Sequence, residues 1–324
     1  MGFFVFLPLV LPLTAWPVAR LAEQHLHPRS ATRLLTGVAA VMAVCSTVCL
    51  GLVMVVGTAQ LPGNPLPDAW SDPEVRAAVP YDEIAGKAAI PALCAVVGAC
   101  GRTLWSHALT RRRAHRALAG LPGTEVAVLR DGTPYAYALP GRRGRGRGRG
   151  LGHGMGRRDR VVVTTALLDR LRPGERRALF AHERAHLAAR HHRLLLVVQL
   201  AARANPFLRP LRTAVSYTAE RWADEEAARV VGSRRTVARA IGLAALSSHR
   251  APVTTLPCLA APGPVPRRVA ALLAPAPAGR RWPPVSTSAG LAAWGAAVGT
   301  AVSAMSSANS AVTMYLILQA ATPL

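Results

Sequence analysis

The sequence predicts an α+β fold, mostly α, with four membrane-crossing helices and one polar domain built on a small β-sheet. Three observations predict it. Apolar residues make up 51% of the 324-residue chain, and the mean hydropathy is +0.24, high for a protein surrounded by water. Four apolar stretches, at residues 3–18, 35–59, 84–105 and within 289–319, approach the roughly 20 residues that cross a bilayer. Between the third and the fourth, short β-branched runs alternate with helix-forming runs that set histidines and acids four apart. The chain thus divides into residues 1–118 with three spans, a polar domain at 119–283, and 284–324 with the last span.

The first stretch carries Pro8, Pro12 and Pro17. No basic residue precedes it and no small-x-small site follows, so it reads as a span and not as a cleaved secretory signal. The second stretch is the most apolar. The third has Lys87 and Arg102 near its ends, where long side chains reach the interface. The last is rich in Ala, Gly and Ser and reads as one long tilted helix. Arginines follow the first stretch (Arg20, Arg29, Arg33) and the third (Arg111, Arg112, Arg113, Arg116), and precede the last (Arg280, Arg281). The loop between the second and third is instead acidic, with Asp68, Asp72, Glu74, Asp82 and Glu83. Lys/Arg excess marks the cytoplasmic side. The expectation is a multi-pass protein of the cell membrane, with both termini outside and the polar domain in the cytoplasm.

Within that domain, residues 125–129 and 135–139 read as strands around the turn signal Asp131-Gly132. Residues 141–158, GRRGRGRGRGLGHGMGRR, read as a disordered insertion that touches lipid only incidentally. Val161, Val162, Val163, Thr164 and Thr165 form a third strand, read as a sheet edge to which an extended peptide substrate adds. A short helix at 166–171 precedes a longer one at 173–192, which Pro173-Gly174-Glu175 starts with a first-turn proline and acid. Residues 194–202, LLLVVQLAA, are too short to span and read as a buried continuation of that helix and not as a piece in the bilayer. Pro206 and Pro210 break the chain before a helix around residue 220. Further helices are expected at 236–247 and 266–273, around a Pro-rich loop at 251–264.

The chemistry lies in His182-Glu183-Arg184-Ala185-His186. Two histidines four apart share one helix face, the arrangement a zinc ion needs from two imidazoles. Glu183 sits where it can take a proton from a water beside the metal. One helix-loop-helix further on, Glu220 and Asp224 are again four apart. One carboxylate can complete a three-ligand site, and the other can accept the free ring N–H of a ligating histidine. Glu225 and Glu226 are rivals by composition. His191 and His192 read as a capping or solvated pair, not a second metal site.

The run RVVVTTALLDRLRPGERRALFAHERAHLAARHH resembles the core of integral-membrane gluzincin peptidases. Asn205-Pro206-Phe207, followed by Glu220-Arg221-Trp222-Ala223-Asp224, resembles their Asn-Pro element and ExxxD helix. The likeness is to the BlaR/MecR-like membrane metallopeptidases (metallopeptidase family 56), with the HtpX/Ste-type peptidases as relatives, over about residues 124–273. It implies one zinc ion per chain held by His182, His186 and Glu220, Glu183 as general base, and Asp224 as the residue that orients a ligand. It also implies three spans before the domain and one after. The expected activity is zinc-dependent endopeptidase action on a protein or peptide substrate. The alternative is a scaffold or regulatory protein of the same fold without catalysis.

The formal net charge of +23 does not indicate nucleic acid. Lys87 is the only lysine, and the arginines follow an Arg/Ala/Gly/Pro-rich usage along the whole chain. The five cysteines include no CxxC pair, so neither a disulfide framework nor a thiolate zinc site is expected. The sequence specifies no oligomeric state.

Overall fold

The structure is a computed structural model. It describes residues 2–322 apart from 64–65, 78, 80, 123, 142–158, 248–263 and 278–285. The expected Arg/Gly insertion and the Pro-rich loop therefore fall almost wholly outside the described residues. The helices are α1 (Leu7–Val10), α2 (Ala15–His25), α3 (Pro28–Ala59), α4 (Pro73–Ala77), α5 (Asp82–Ala117), α6 (Thr165–Leu168), α7 (Pro173–Ala188), α8 (His191–Ala204), α9 (Arg209–Val231), α10 (Arg234–Ser247), α11 (Val265–Leu273) and α12 (Ser288–Ala321). The strands are β1 (Val126–Leu129), β2 (Ala136–Leu139) and β3 (Arg160–Thr164).

Among the described residues, three helices are long and apolar enough to cross a membrane: α3, α5 and α12. Three such helices suggest a membrane protein. The first apolar stretch is not a fourth. It runs as a 3-10 turn at Gly2–Val5, then α1, a second 3-10 turn at Leu11–Thr14, and α2. Proline explains the breaks. In an α-helix the carbonyls of Phe4 and Pro8 are bonded by the N–H of residues 8 and 12, which here are prolines without one. Serines of the neighbouring helices supply the missing donors. Ser306 Oγ donates to the Phe4 carbonyl at 2.7 Å, and Ser46 Oγ donates to that of Pro8, also at 2.7 Å.

Helix α3 is the centre of the bundle and packs against α5, α8, α9 and α12. One core joins the two halves of the molecule. It contains Leu35, Ala39 and Met42 of α3, Leu195 and Val198 of α8, and Leu211, Ala214 and Val215 of α9. At the far end of α3, Gly57 meets Gly86 of α5. A Cβ on Gly57 would lie 2.2 Å from the Gly86 carbonyl carbon, so the two backbones touch as small residues allow in packed membrane helices.

The sheet corrects two expectations. Its order is β1-β3-β2, with β1 parallel to β3 and β2 antiparallel to it. The segments on either side of Asp131-Gly132 therefore do not pair as a hairpin, because β3 lies between them. Asp131 instead turns the chain locally: its carboxylate accepts from Thr133 N at 2.8 Å and from the Tyr135 hydroxyl at 3.1 Å. Residues Val161–Thr164 are thus the central strand and not the edge, and Thr165 already begins α6. The physical reason is burial on both faces. Val161, Val162, Val163 and Thr164 are all fully buried, as a continuous β-branched run in a central strand requires. The free edges belong to β1 and β2.

A Gly86→Val substitution is expected to force α3 and α5 apart. The cost should reach or exceed the upper end of the about 1–3 kcal/mol typical of overpacking, read as a lower melting midpoint in detergent, whereas Gly51→Ala, which meets nothing within 4 Å, should be near neutral.

Candidate metal centre

Helix α7 starts as the sequence indicates. Pro173 occupies the first turn, and Glu175 reaches back to accept from Arg172 N at 2.9 Å, the reciprocal half of a capping box. The helix carries His182 and His186 one turn apart, with Nε2 atoms 3.1 Å from each other. It ends at Ala188. Arg190 adopts a left-handed conformation, φ 54, which is costly for a non-glycine residue. The turn starts α8 as a separate helix, so 194–202 is not a continuation of α7.

Helix α9 brings Glu220 to the same point. Glu220 Oε2 lies 3.5 Å from His182 Nε2, and Oε1 lies 3.4 Å from His186 Nε2. One donor atom from each of the three residues falls within 4.8 Å of the others. The spacing suits a metal ion. A tetrahedral ion about 2.1 Å from each ligand separates its ligands by roughly 3.4 Å; the two Nε2 atoms are 3.1 Å apart, and each meets a different Glu220 oxygen, at 3.4 and 3.5 Å. The rival acids face elsewhere. Glu225 is held by Arg221 at 2.9 Å and by Arg234, and Glu226 pairs with Arg229.

The outer nitrogens of both imidazoles are also occupied. His182 Nδ1 lies 3.0 Å from Asp224 Oδ1, and His186 Nδ1 lies 2.9 Å from His191 Nδ1. An imidazole that offers its Nε2 lone pair to a cation carries its proton on Nδ1, so the His182 N–H faces the Asp224 carboxylate at ion-pair distance, without the alignment of a hydrogen bond, and His186 donates to His191. Each ring is thereby fixed in one tautomer, as outer partners of metal-binding histidines do. His191 is fully buried and stands edge-on to the Trp222 indole, 4.6 Å between centroids. Arg29 and Arg33 of α3 lie over the same indole, 5.5 and 5.3 Å from its centre, in cation–π contact. His191 is therefore neither solvated nor a cap. His192 is buried as well.

Sequence reasoning missed one contributor. Arg268 of α11 donates to Asp224 through Nε at 2.8 Å and Nη2 at 2.6 Å, and its Nη1 lies 2.8 Å from Glu220 Oε2. A bidentate guanidinium holds a carboxylate in a fixed plane. Helix α11 is itself fastened to α10, because Arg234 donates to the carbonyls of Ala271 and Leu272. No spacing rule ties residue 268 to residue 224. An Arg on an apolar helix face was the available signal.

The charges divide the site into distinct roles. Burial opposes a proton on His182, but hydrogen bonds and charge from Asp224 and Glu220 together outweigh it and push the imidazole up to about 10. Burial pushes His186 down to about 4 and His191 to about 2. Burial works against ionised Glu220 and Asp224 too, yet Arg268 and the histidines hold both well below the usual carboxylate range. Glu183 differs. Burial pushes it up to about 7, against the pull of His182, Arg268 and a hydrogen bond from the Ala138 backbone N–H. That N–H belongs to the free edge of β2. Thr164 N donates to the Tyr135 carbonyl, and ladder bonds alternate along an antiparallel strand, so the N–H groups of Ala136 and Ala138 point away from β3. The sheet edge beside Glu183 is therefore β2.

Replacing His191 with Phe should keep the ring volume and remove the acceptor for His186. Zinc affinity, measured by competition with a chromophoric chelator, is expected to fall about 10–100-fold, and Asn at the same position should recover part of it. Comparison with known proteins agrees with the geometry over part of the chain. The profile of Peptidase family M48 matches residues 102–202, which include the sheet, both histidines and most of α8 but stop short of Glu220. No curated protein and no solved structure matches. The match supports assignment to a zinc metallopeptidase family, and the His182, His186 and Glu220 group can bind a metal ion.

Proposed function

We propose that the chain is a membrane-embedded zinc endopeptidase of the gluzincin type, similar in plan to the BlaR/MecR-like and HtpX/Ste-type enzymes, with its site on the cytoplasmic side. The observation that carries the proposal is the convergence of His182 and His186 of α7 with Glu220 of α9, beside a glutamate whose carboxyl is raised toward neutrality. Zinc held by those three residues supplies a Lewis acid that makes a water acidic near neutral pH and polarises a peptide carbonyl.

The remaining work belongs to the protein. Glu183 takes a proton from the attacking water and returns it to the leaving nitrogen. A pKa near the working pH suits a group that must do both. Asp224 holds the His182 ring, Arg268 holds Asp224 and Glu220 in register, and His191 holds His186. An extended substrate adds as a strand to the outer edge of β2, where Ala136 offers an outward N–H. This replaces the β3 edge expected from sequence. The arginine distribution supports the orientation. The first turns of α3, the last turns of α5 and the residues preceding α12 are basic, while the loop between α3 and α5 is acidic. The proline-broken first stretch then crosses as a fourth segment, and both termini lie outside.

Glu183→Gln should retain stoichiometric zinc and lose at least about a hundredfold in kcat, measured on peptides released from membrane-proximal cytoplasmic proteins. Undiminished cleavage by this variant would remove the general-base role. Because the base acts deprotonated, kcat/KM should fall as pH drops through the Glu183 pKa. A bound cation lowers that pKa, so the acid limb is expected at or below about 7. Ala136→Pro removes an outward N–H without breaking a ladder bond. It should leave the melting midpoint near wild type and lower kcat/KM.

A further inference from the structure

The helical hairpin formed by α8 and α9 lies against α3 over a length that sequence analysis assigned to a water-covered domain. Thr218 of α9 shares a hydrogen bond with Thr32 of α3 at 2.9 Å. At the tip, Asn205 Nδ2 donates to Ser46 Oγ at 3.1 Å, and Asn205 Oδ1 accepts from Phe207 N at 3.0 Å. The hairpin therefore follows α3 from residue 32 to residue 46, about 21 Å of helix.

That length can be set against the bilayer. Residues 34–59 of α3 contain no charged side chain. A span takes about 20 of them, so any window within 34–59 opens at about residue 40 or earlier. Ser46 then lies at least about six residues, or 9 Å, inside the hydrocarbon. Thr32 lies outside every such window. Exposed Trp16, Trp105 and Trp294 on α2, α5 and α12 fit an interfacial aromatic belt. Ala15 and Ala296, beside two of them, share one core with α8 and with Leu208 and Leu211 at the hairpin tip.

The exposed surface of the hairpin matches such a setting. Phe207 is 51% exposed at the tip, and Val197 is exposed on α8. Arg203, Arg209 and Arg212 are exposed around it and form no ion pair among the described residues. From His191 to Ala219 the sequence holds four arginines and no acid. Long basic side chains of this kind reach from apolar depth to phosphate.

We propose that the α8–α9 hairpin is embedded in the leaflet on the Pro28 side, with Phe207 among acyl chains and Arg203, Arg209 and Arg212 bound to phosphates of anionic lipid headgroups. The interaction stands independently of peptidase activity. A nitroxide at position 207 of a cysteine-free full-length chain, in vesicles of phosphatidylcholine and phosphatidylglycerol, should collide with oxygen more than with a water-soluble nickel chelate. A nitroxide at exposed Val230, at the other end of α9, should show the reverse. Nickel-dominated collisions at 207 would overturn the embedding. In the second measurement, with native cysteines, phosphatidylglycerol binding to the detergent-purified protein is titrated by mass spectrometry. The R203Q/R209Q/R212Q variant should bind it roughly a hundredfold more weakly than wild type. Equal binding by the two proteins would overturn the role of the arginines.

Discussion

The buried Asp224 carboxylate, fully withdrawn from solvent, is the interaction on which the centre depends. An isolated carboxylate at that depth would be prohibitively costly. It persists because Arg268 binds both its oxygens from α11 and His182 meets one of them from α7. Three helices far apart in sequence thus meet on one anion. Removing a partner from such a set leaves an uncompensated buried charge, which costs more than the pair itself contributes. The same arginine reaches Glu220, so the position of the third donor group follows from the one that fixes the first.

Local periodicity explains what could be read in advance. His182 with His186, and Glu220 with Asp224, were legible because a helix repeats every 3.6 residues and a spacing of four is a statement about one face. The start of α7 was legible for the same local reason, through Pro173 and Glu175. Long-range relations were not. Arg268 and His191 act through contacts set by the packing of α11 and by the left-handed turn at Arg190, and neither has a sequence spacing. The strand order was partly legible. Val161, Val162 and Val163 form an unbroken apolar run, which favours a central strand over an edge, but the turn signal at Asp131-Gly132 suggested a hairpin more strongly. There the side-chain bonds of Asp131 turn the chain without joining its two flanks.

In the apolar half, composition indicated length and not continuity. The first stretch has the hydrophobicity of a span, yet prolines remove the donors that Phe4 and Pro8 would need. Ser306 and Ser46 restore them from α12 and α3. In a bilayer an unsatisfied carbonyl has no water to turn to, so these two serines make the broken segment tolerable next to helices that are regular. Ser46 is shared, since it also accepts from Asn205, and it links the N-terminal segment to the loop between α8 and α9.

The connection between α8 and α9 also has a consequence in time. The histidine pair is synthesised before this turn and Glu220 after it, so the three donor groups cannot meet until the chain has passed residue 220 and α9 packs on α7. A nascent or partly inserted chain carries the imidazoles without their carboxylate partner. The centre is therefore completed late, once α9 has packed on α7.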